Sequence, residues 1–227
     1  MVHNRIVESL KKAGIGIEMQ GRLGERATFT ILDTQEDLGC YIELISPAWN
    51  HTETNMQLTG VYEHKGPSII DMASPLFSGG KRINQVGIVV RDEKKTARRY
   101  QELLGVGSWV MATPERTDVL FNEKPVPQAE MSGVRIDVAM AYLGDIQIEL
   151  VKTAEGPNPQ RKFLERRGNG IHHLSVGWQA DYDQVIAASK KAGINSEFSG
   201  KQPLFVVSHL AMQEQLGGLV LEIIKLK

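Results

Sequence analysis

The chain has 227 residues, 41% hydrophobic and 23% charged, with 26 Lys and Arg against 27 Asp and Glu for a net charge of −1. This composition excludes a disordered or fibrous chain. Near neutrality argues against nucleic acid or an anionic membrane as the main partner, since both reward clustered Lys and Arg. No apolar run approaches the ~20 residues that span a bilayer, and the N-terminal MVHNRIVESLKKAG has no signal-peptide apolar core. A single cysteine, Cys40, leaves no intrachain disulfide and no Cys-based zinc site. A cytoplasmic protein with a small-molecule substrate, and neither nucleic acid nor membrane as partner, is expected.

Taken in chain order, the first segment is a partial repeat. RIVESLKKAGIGIEMQG (residues 5–21) lies over QVIAASKKAGINSEFSG (residues 184–200) with Lys11, Lys12, Ala13, Gly14, Ile15, Glu18 and Gly21 meeting identical residues. The same register puts Gly39 on Gly218 and Glu43 on Glu222. Residues 1–50 therefore read as an incomplete βαβββ module that lacks its first strand. Glu43 reads as a structural remnant, and Cys40, on an apolar strand, as buried and inert. Residues 51–81 have little periodicity and read as a linker.

Residues 82–227 read as two complete modules, at about 82–153 and 169–227. INQVGIVV and IHHLSVGW are short apolar period-two strands, and the second overlies the first with His173 on Gln85. DEKKTARRYQELLG and DYDQVIAASKKAG are helices; Asp181 reads as an N-cap and Gly193 closes the second. SWVMA, VRIDVAMAYL and IQIELVK complete the first module, and INSEF, LFVVSHLAM and GLVLEIIKL the second. Thr113 to Gly133 reads as a long polar loop, and EGPNPQRKFLERRGNG as a crossover helix between modules. The predicted fold is α+β: paired βαβββ modules forming a curved mixed sheet cup, plus the incomplete N-terminal module.

In each complete module the first and last strands carry one polar residue at matching positions: Gln85 and Glu149, then His173 and Glu222. In Ile148-Glu149-Leu150 and Leu221-Glu222-Ile223 the apolar neighbours point the other way, so the glutamates face the concave side. Four such ligands related by a pseudo-twofold axis can surround one divalent ion with positions left open. Burying two carboxylates together without a cation is expensive, so a metal explains their sharing a cleft.

INQVGIVVRD, GDIQIELVKTAEG, KFLERRGNGIHHLSV and GGLVLEII together resemble the vicinal oxygen chelate superfamily, which includes glyoxalase I, methylmalonyl-CoA epimerase, bleomycin-resistance proteins and extradiol dioxygenases. The resemblance implies metal ligands Gln85, Glu149, His173 and Glu222 holding one divalent ion (Zn, Ni, Co, Mn or Fe). This Gln/Glu/His/Glu set is similar to that of glyoxalase I, while the surrounding sequence is similar to the epimerases. It further implies an isomerase, epimerase or lyase that moves a proton beside the carbonyl of an acyl thioester or hemithioacetal, with Glu149 and Glu222 as the catalytic carboxylates. SHLAMQEQ stands where the epimerases carry a His-Pro-Lys type turn, which puts acyl-CoA binding in doubt. A non-catalytic small-molecule binder, as in the resistance proteins, is the alternative class. An Fe(II) extradiol-type dioxygenase is disfavoured, because Gln85 stands where a histidine ligand belongs.

The remaining polar residues have blander readings. His172 alternates to the opposite face from His173 and reads as a packing or hydrogen-bonding residue. His209, on a strand near the cleft, reads as a structural histidine before a substrate contact. Arg161, Lys162, Arg166 and Arg167 read as a solvated helix face, and Trp109, Met111, Phe121 and Trp178 receive no role. The incomplete module would leave an apolar face and a sheet edge, so it is expected to pack on another element, either the same chain's cup or its copy in a homodimer, and a homodimer is expected.

Overall fold

A computed structural model of the chain describes residues 2–23, 27–46, 83–156 and 158–227. The expected linker at 51–81 lies outside them. The chain divides into two compact units, residues 1–65 and 66–227. Among the described residues no helix is long and apolar enough to cross a membrane.

In the first unit, helix α1 (Val2–Lys12) precedes strands β1 (Gly16–Leu23), β2 (Ala27–Asp33) and β3 (Ile42–Ser46), with a four-residue helix α2 (Gln35–Leu38) before β3. The strands form an antiparallel sheet in the order β1-β2-β3. Val7 and Ile15 are buried at the helix, and Leu32 and Leu38 beyond it. His3 is buried too and its Nε2 lies 2.9 Å from Thr30 Oγ1, which satisfies both polar groups. Cys40 is half-buried and sits in the bend before β3 rather than on a strand. Glu43 is exposed.

The second unit runs β4 (Gln85–Val89), α3 (Glu93–Leu104), β5 (Val110–Ala112), β6 (Thr117–Phe121), β7 (Lys124–Pro125), a 3₁₀ turn (Gln128–Val134), β8 (Ile136–Leu143), β9 (Ile146–Thr153), α4 (Pro159–Arg167), β10 (Gly170–Trp178), α5 (Tyr182–Lys191), β11 (Ser196–Lys201), β12 (Phe205–Leu210) and β13 (Val220–Leu226). The predicted α+β class and mixed sheet are found. One ten-stranded sheet has the order β5-β8-β9-β4-β10-β13-β12-β11-β6-β7. Read outward from its centre, β4 is flanked by β9, β8 and β5, and β10 by β13, β12 and β11, which is the pseudo-twofold of two βαβββ modules. The central β4–β10 pair is antiparallel, while β4–β9 and β10–β13 are parallel.

The expected polar loop at 113–133 is corrected: it contains β6, β7 and the 3₁₀ turn, and β6 pairs with β11 at the edge of the other module. This placement forces the curvature. β5 and β6 lie eight strand positions apart in the sheet order, roughly 38 Å if flat. The chain from Ala112 to Thr117 spans at most ~17 Å. The sheet must therefore curl into a cup, with residues 113–116 as a strap across its mouth. The cup is not a closed barrel, because β5 pairs with β8 alone among the described strands.

Two of the longer helices are capped by local rules. Asp92 caps α3 by accepting from Lys95 N at 2.8 Å, and Gly105 closes that helix at φ 68°. Asp181 precedes α5 as expected, but its side chain makes no capping bond. The crossover helix α4 is begun by Asn158, which is buried, accepts from Arg161 N at 2.7 Å and donates to the carbonyl of Gly133 at 2.9 Å. Replacing Asn158 by alanine removes the cap and leaves a buried carbonyl unpaired, an expected loss of about 2 kcal/mol in urea unfolding. Asn158→Asp keeps the cap acceptor but sets a carboxylate oxygen against the Gly133 carbonyl, so it should not recover the loss.

Candidate functional site in the cup

Period-two alternation sends one set of side chains into the concave face. Gln85 of β4, Glu149 of β9, His173 of β10 and Glu222 of β13 all line a single cavity of about 350 Å³. The four candidate ligands are thus brought together. Ile148, Leu150, Leu221 and Ile223 alternate with the glutamates and are buried; Leu221 and Ile223 pack with Val185 of α5.

The pairing repeats the pseudo-symmetry. In the first module Gln85 lies beside Gln147 and Gly87 beside Glu149; in the second His173 lies beside Val220 and Ser175 beside Glu222. Across the centre His173 pairs with Gly87, and here the register slips by one residue. Gly87 is required for this arrangement, since a Cβ on it would fall 1.9 Å from Cε1 and 2.1 Å from Nε2 of His173. His173 Nε2 lies 3.3 Å from Glu149 Oε2 and 3.8 Å from Glu222 Oε2, so carboxylates from both modules converge on one imidazole.

Two further histidines surround this centre. His209 of β12 pairs across the strand with Glu222, its Nε2 3.1 Å from Glu222 Oε2. Ligand atoms of His173, His209 and Glu222 lie within 4.8 Å of one another. The sequence reads His209 as structural before a substrate contact; the structure sets it beside Glu222 in the cavity lining. The signal was present: Phe205, Val207 and His209 share one face of β12, and all three line the cavity. The pseudo-symmetric position on β8, opposite Glu149, is Met140, so the two halves differ here. His172 lies behind the centre, with Nδ1 3.2 Å from His173 Nδ1 and its ring edge-on to Phe163 at 5.3 Å. Trp178, which received no role, also lines the cavity, as does Arg116 of the strap.

Electrostatics separate the imidazoles. Burial pushes His173 down, but Glu222 and Glu149 outweigh it, against a smaller opposing effect of Arg116, and hold its pKa above the usual histidine value. Burial, then the charges of His173 and Arg116, push His209 well below that value; burial, then His173 and His209, do the same to His172. Gln85 Nε2 donates to Gln147 Oε1 at 2.7 Å. That bond leaves Gln85 Oε1 sealed from solvent without a hydrogen-bond partner; His209 Nδ1 is sealed without one as well, and His173 Nε2 has only the two carboxylates near it, beyond good hydrogen-bond geometry. Orphaned buried donors and acceptors are rare. Here they sit beside two carboxylates in one cleft, an N/O donor set that fits a divalent cation.

Residues 84–204, more than half of the chain, match the family described as the Glyoxalase/Bleomycin resistance protein/Dioxygenase superfamily. The chain belongs to that superfamily. The chain is 24% identical over 108 residues to the uncharacterized protein YqjC of Bacillus subtilis (strain 168); the match covers 48% of this chain and 65% of YqjC, less than two thirds of its length. Among solved structures it is similar to methylmalonyl-CoA epimerase from Mycobacterium tuberculosis, at 19% identity, TM-score 0.43, 63% of this chain and 87% of that one. A hypothetical protein from Bacillus halodurans matches at 21% identity, TM-score 0.45, 64% and 94%. A Streptomyces coelicolor methylmalonyl-CoA epimerase variant in complex with 2-nitronate-propionyl-CoA matches at 20% identity, TM-score 0.44, 64% and 94%.

Proposed function

We propose that this superfamily member uses the cup to move a proton on the carbon beside a carbonyl group, as an isomerase, epimerase or lyase of a small thioester or hemithioacetal. His173, Glu222, Glu149 and Gln85 would hold one divalent ion, with His209 as a further donor beside Glu222. The observation that carries the reading is the convergence of Glu149 and Glu222, from opposite modules, on His173 Nε2 at 3.3 and 3.8 Å. A divalent ion bound there supplies Lewis acidity toward the substrate carbonyl oxygen.

The protein's own residues carry the proton. Glu222 and Glu149 approach the cleft from two sides, so one carboxylate takes the proton from one face of the carbon and the other returns it. When His209 Nε2 bears the proton it donates to Glu222 and fixes that carboxylate; His209 itself stays neutral because burial disfavours its charge. Val138, Val207 and Ile224 line the same cavity and exclude water from the reacting carbon. Its ~350 Å³ volume suits a small substrate.

The test is metal analysis of the purified protein followed by deuterium exchange from solvent into candidate acyl thioesters and hemithioacetals. Stoichiometric Mn, Co, Ni, Zn or Fe with exchange is the expected result. Absence of metal overturns the metalloenzyme reading, and metal without exchange across both substrate classes favours a non-catalytic binder. A second reading has one specific observation behind it: His173, His209 and Glu222 make two histidines and one carboxylate, the donor composition of non-haem Fe(II) oxygenases. Dioxygen uptake by the Fe(II)-loaded protein with a catechol would favour it. The expected homodimer is likewise a proposal, supported by the exposure of Ile6, Met19 and Tyr41 in residues 1–65; a monomer in sedimentation would overturn it.

A further inference from the structure

Arg116 lies on the strap that crosses the mouth of the cup, between β5 and β6, and lines the cavity with the carboxylate–histidine cluster. Its Nε is sealed from solvent and has no hydrogen-bond partner. Among the described residues no carboxylate oxygen comes within 4.0 Å of its guanidinium, and the Phe198 ring lies 4.8 Å from Cζ. An aromatic face attracts a cation but accepts no fork of hydrogen bonds. Burial pushes the Arg116 pKa down to about 10, with the fields of Glu149 and Glu222 opposing. At neutral pH it is still a full charge. A half-sealed guanidinium without an ion pair is costly, and folded chains keep such a group where something else supplies the counter-charge. The planar guanidinium matches a carboxylate bidentately, and Arg116 is part of the cleft's lining.

We infer that Arg116 is the anchor for a carboxylate on the substrate, so that the natural ligand is an anionic carbonyl compound whose carboxylate sits at the strap while its reactive carbon lies over the histidine–glutamate cluster. The inference rests on reading the cup as the substrate site, but it does not need the metal. It also explains why the strap crosses the mouth at all: four residues bring one fixed cation over a cleft whose floor is anionic. An uncharged analogue of the same shape leaves the guanidinium unpaired and is rejected.

The test uses malonate as probe and malonamide as its uncharged counterpart, by calorimetry on the full chain as purified and again after chelator treatment. Malonate is expected to bind the wild type and malonamide at least tenfold more weakly. Arg116→Gln should weaken malonate about tenfold or more, leave malonamide unchanged and keep the wild-type metal content; Arg116→Lys, a charge without the fork, should fall between. Arg116→Gln and Arg116→Lys should both melt close to the wild-type temperature, because no carboxylate lies close enough to the guanidinium to form an ion pair that either change would break. Equal malonate affinity in wild type and Arg116→Gln, equal affinity of wild type for malonate and malonamide, or no malonate binding at all overturns the inference. So does a lowered melting temperature in Arg116→Gln and Arg116→Lys alike, which would mark a guanidinium held for packing. If neither protein holds metal while malonate binding still depends on Arg116, the metalloenzyme reading fails and the carboxylate anchor stands.

Discussion

Gly87→Ala is expected to empty the site while leaving the fold in place. The added Cβ would lie 1.9 to 2.4 Å from Cε1, Nε2 and Nδ1 of His173, and the three nearest atoms all belong to that ring. Such overlap cannot be relieved by a few tenths of an ångström, so the imidazole must leave. The ring then loses its contact with His172 Nδ1 and its approach to both glutamates. Overpacking of this kind costs roughly 1–3 kcal/mol, and under the proposed function the displaced imidazole should cost metal affinity as much as His173→Ala does. The check is a double-mutant cycle in urea unfolding and metal content. Because the three nearest atoms all belong to His173, Gly87→Ala should cost less stability once His173 is already alanine. Equal costs in both backgrounds would show that the glycine is needed for some other reason.

Removal of the Glu222 carboxylate should have the larger effect on chemistry. Glu222 is buried, its Oε2 lies 3.1 Å from His209 Nε2 and 3.8 Å from His173 Nε2, and it is the carboxylate placed between two imidazoles. Glu222→Gln keeps the shape and one oxygen but loses the charge and the proton acceptor. Under the proposed function, solvent deuterium exchange should fall by roughly 10²–10⁴-fold, with weakened metal retention. Glu222→Ala should lose the metal altogether. Glu149→Gln, in the half-buried position across the cup, should slow exchange on one face of the reacting carbon more than on the other. Stereospecific exchange in wild type that is unchanged in both variants would exclude the two-carboxylate scheme.

The sequence by itself determined the repeat and the faces. Because successive strand residues point to opposite sides, Ile148-Glu149-Leu150 and Leu221-Glu222-Ile223 announce which residues look inward. The alignment of Gln85 with His173 and of Glu149 with Glu222 reappears in the strand pairing, where Gly87 meets Glu149 and Ser175 meets Glu222. Such features are local or follow from similarity between copies, so they are legible without knowing what packs on what. The tertiary structure alone decided which inward residues meet. The register slip at Ile171–His173 sets the His173 ring over Gly87. The antiparallel pairing of β12 with β13 brings His209 to Glu222, a neighbour that period two cannot name. The segment read as a polar loop became a strand on the far edge of the sheet and drew Arg116 across the mouth. The physical reason is common to all three: alternation fixes a direction for each side chain, whereas closure of a cup is a long-range property of strand order and register, in which one residue of slip changes every partner.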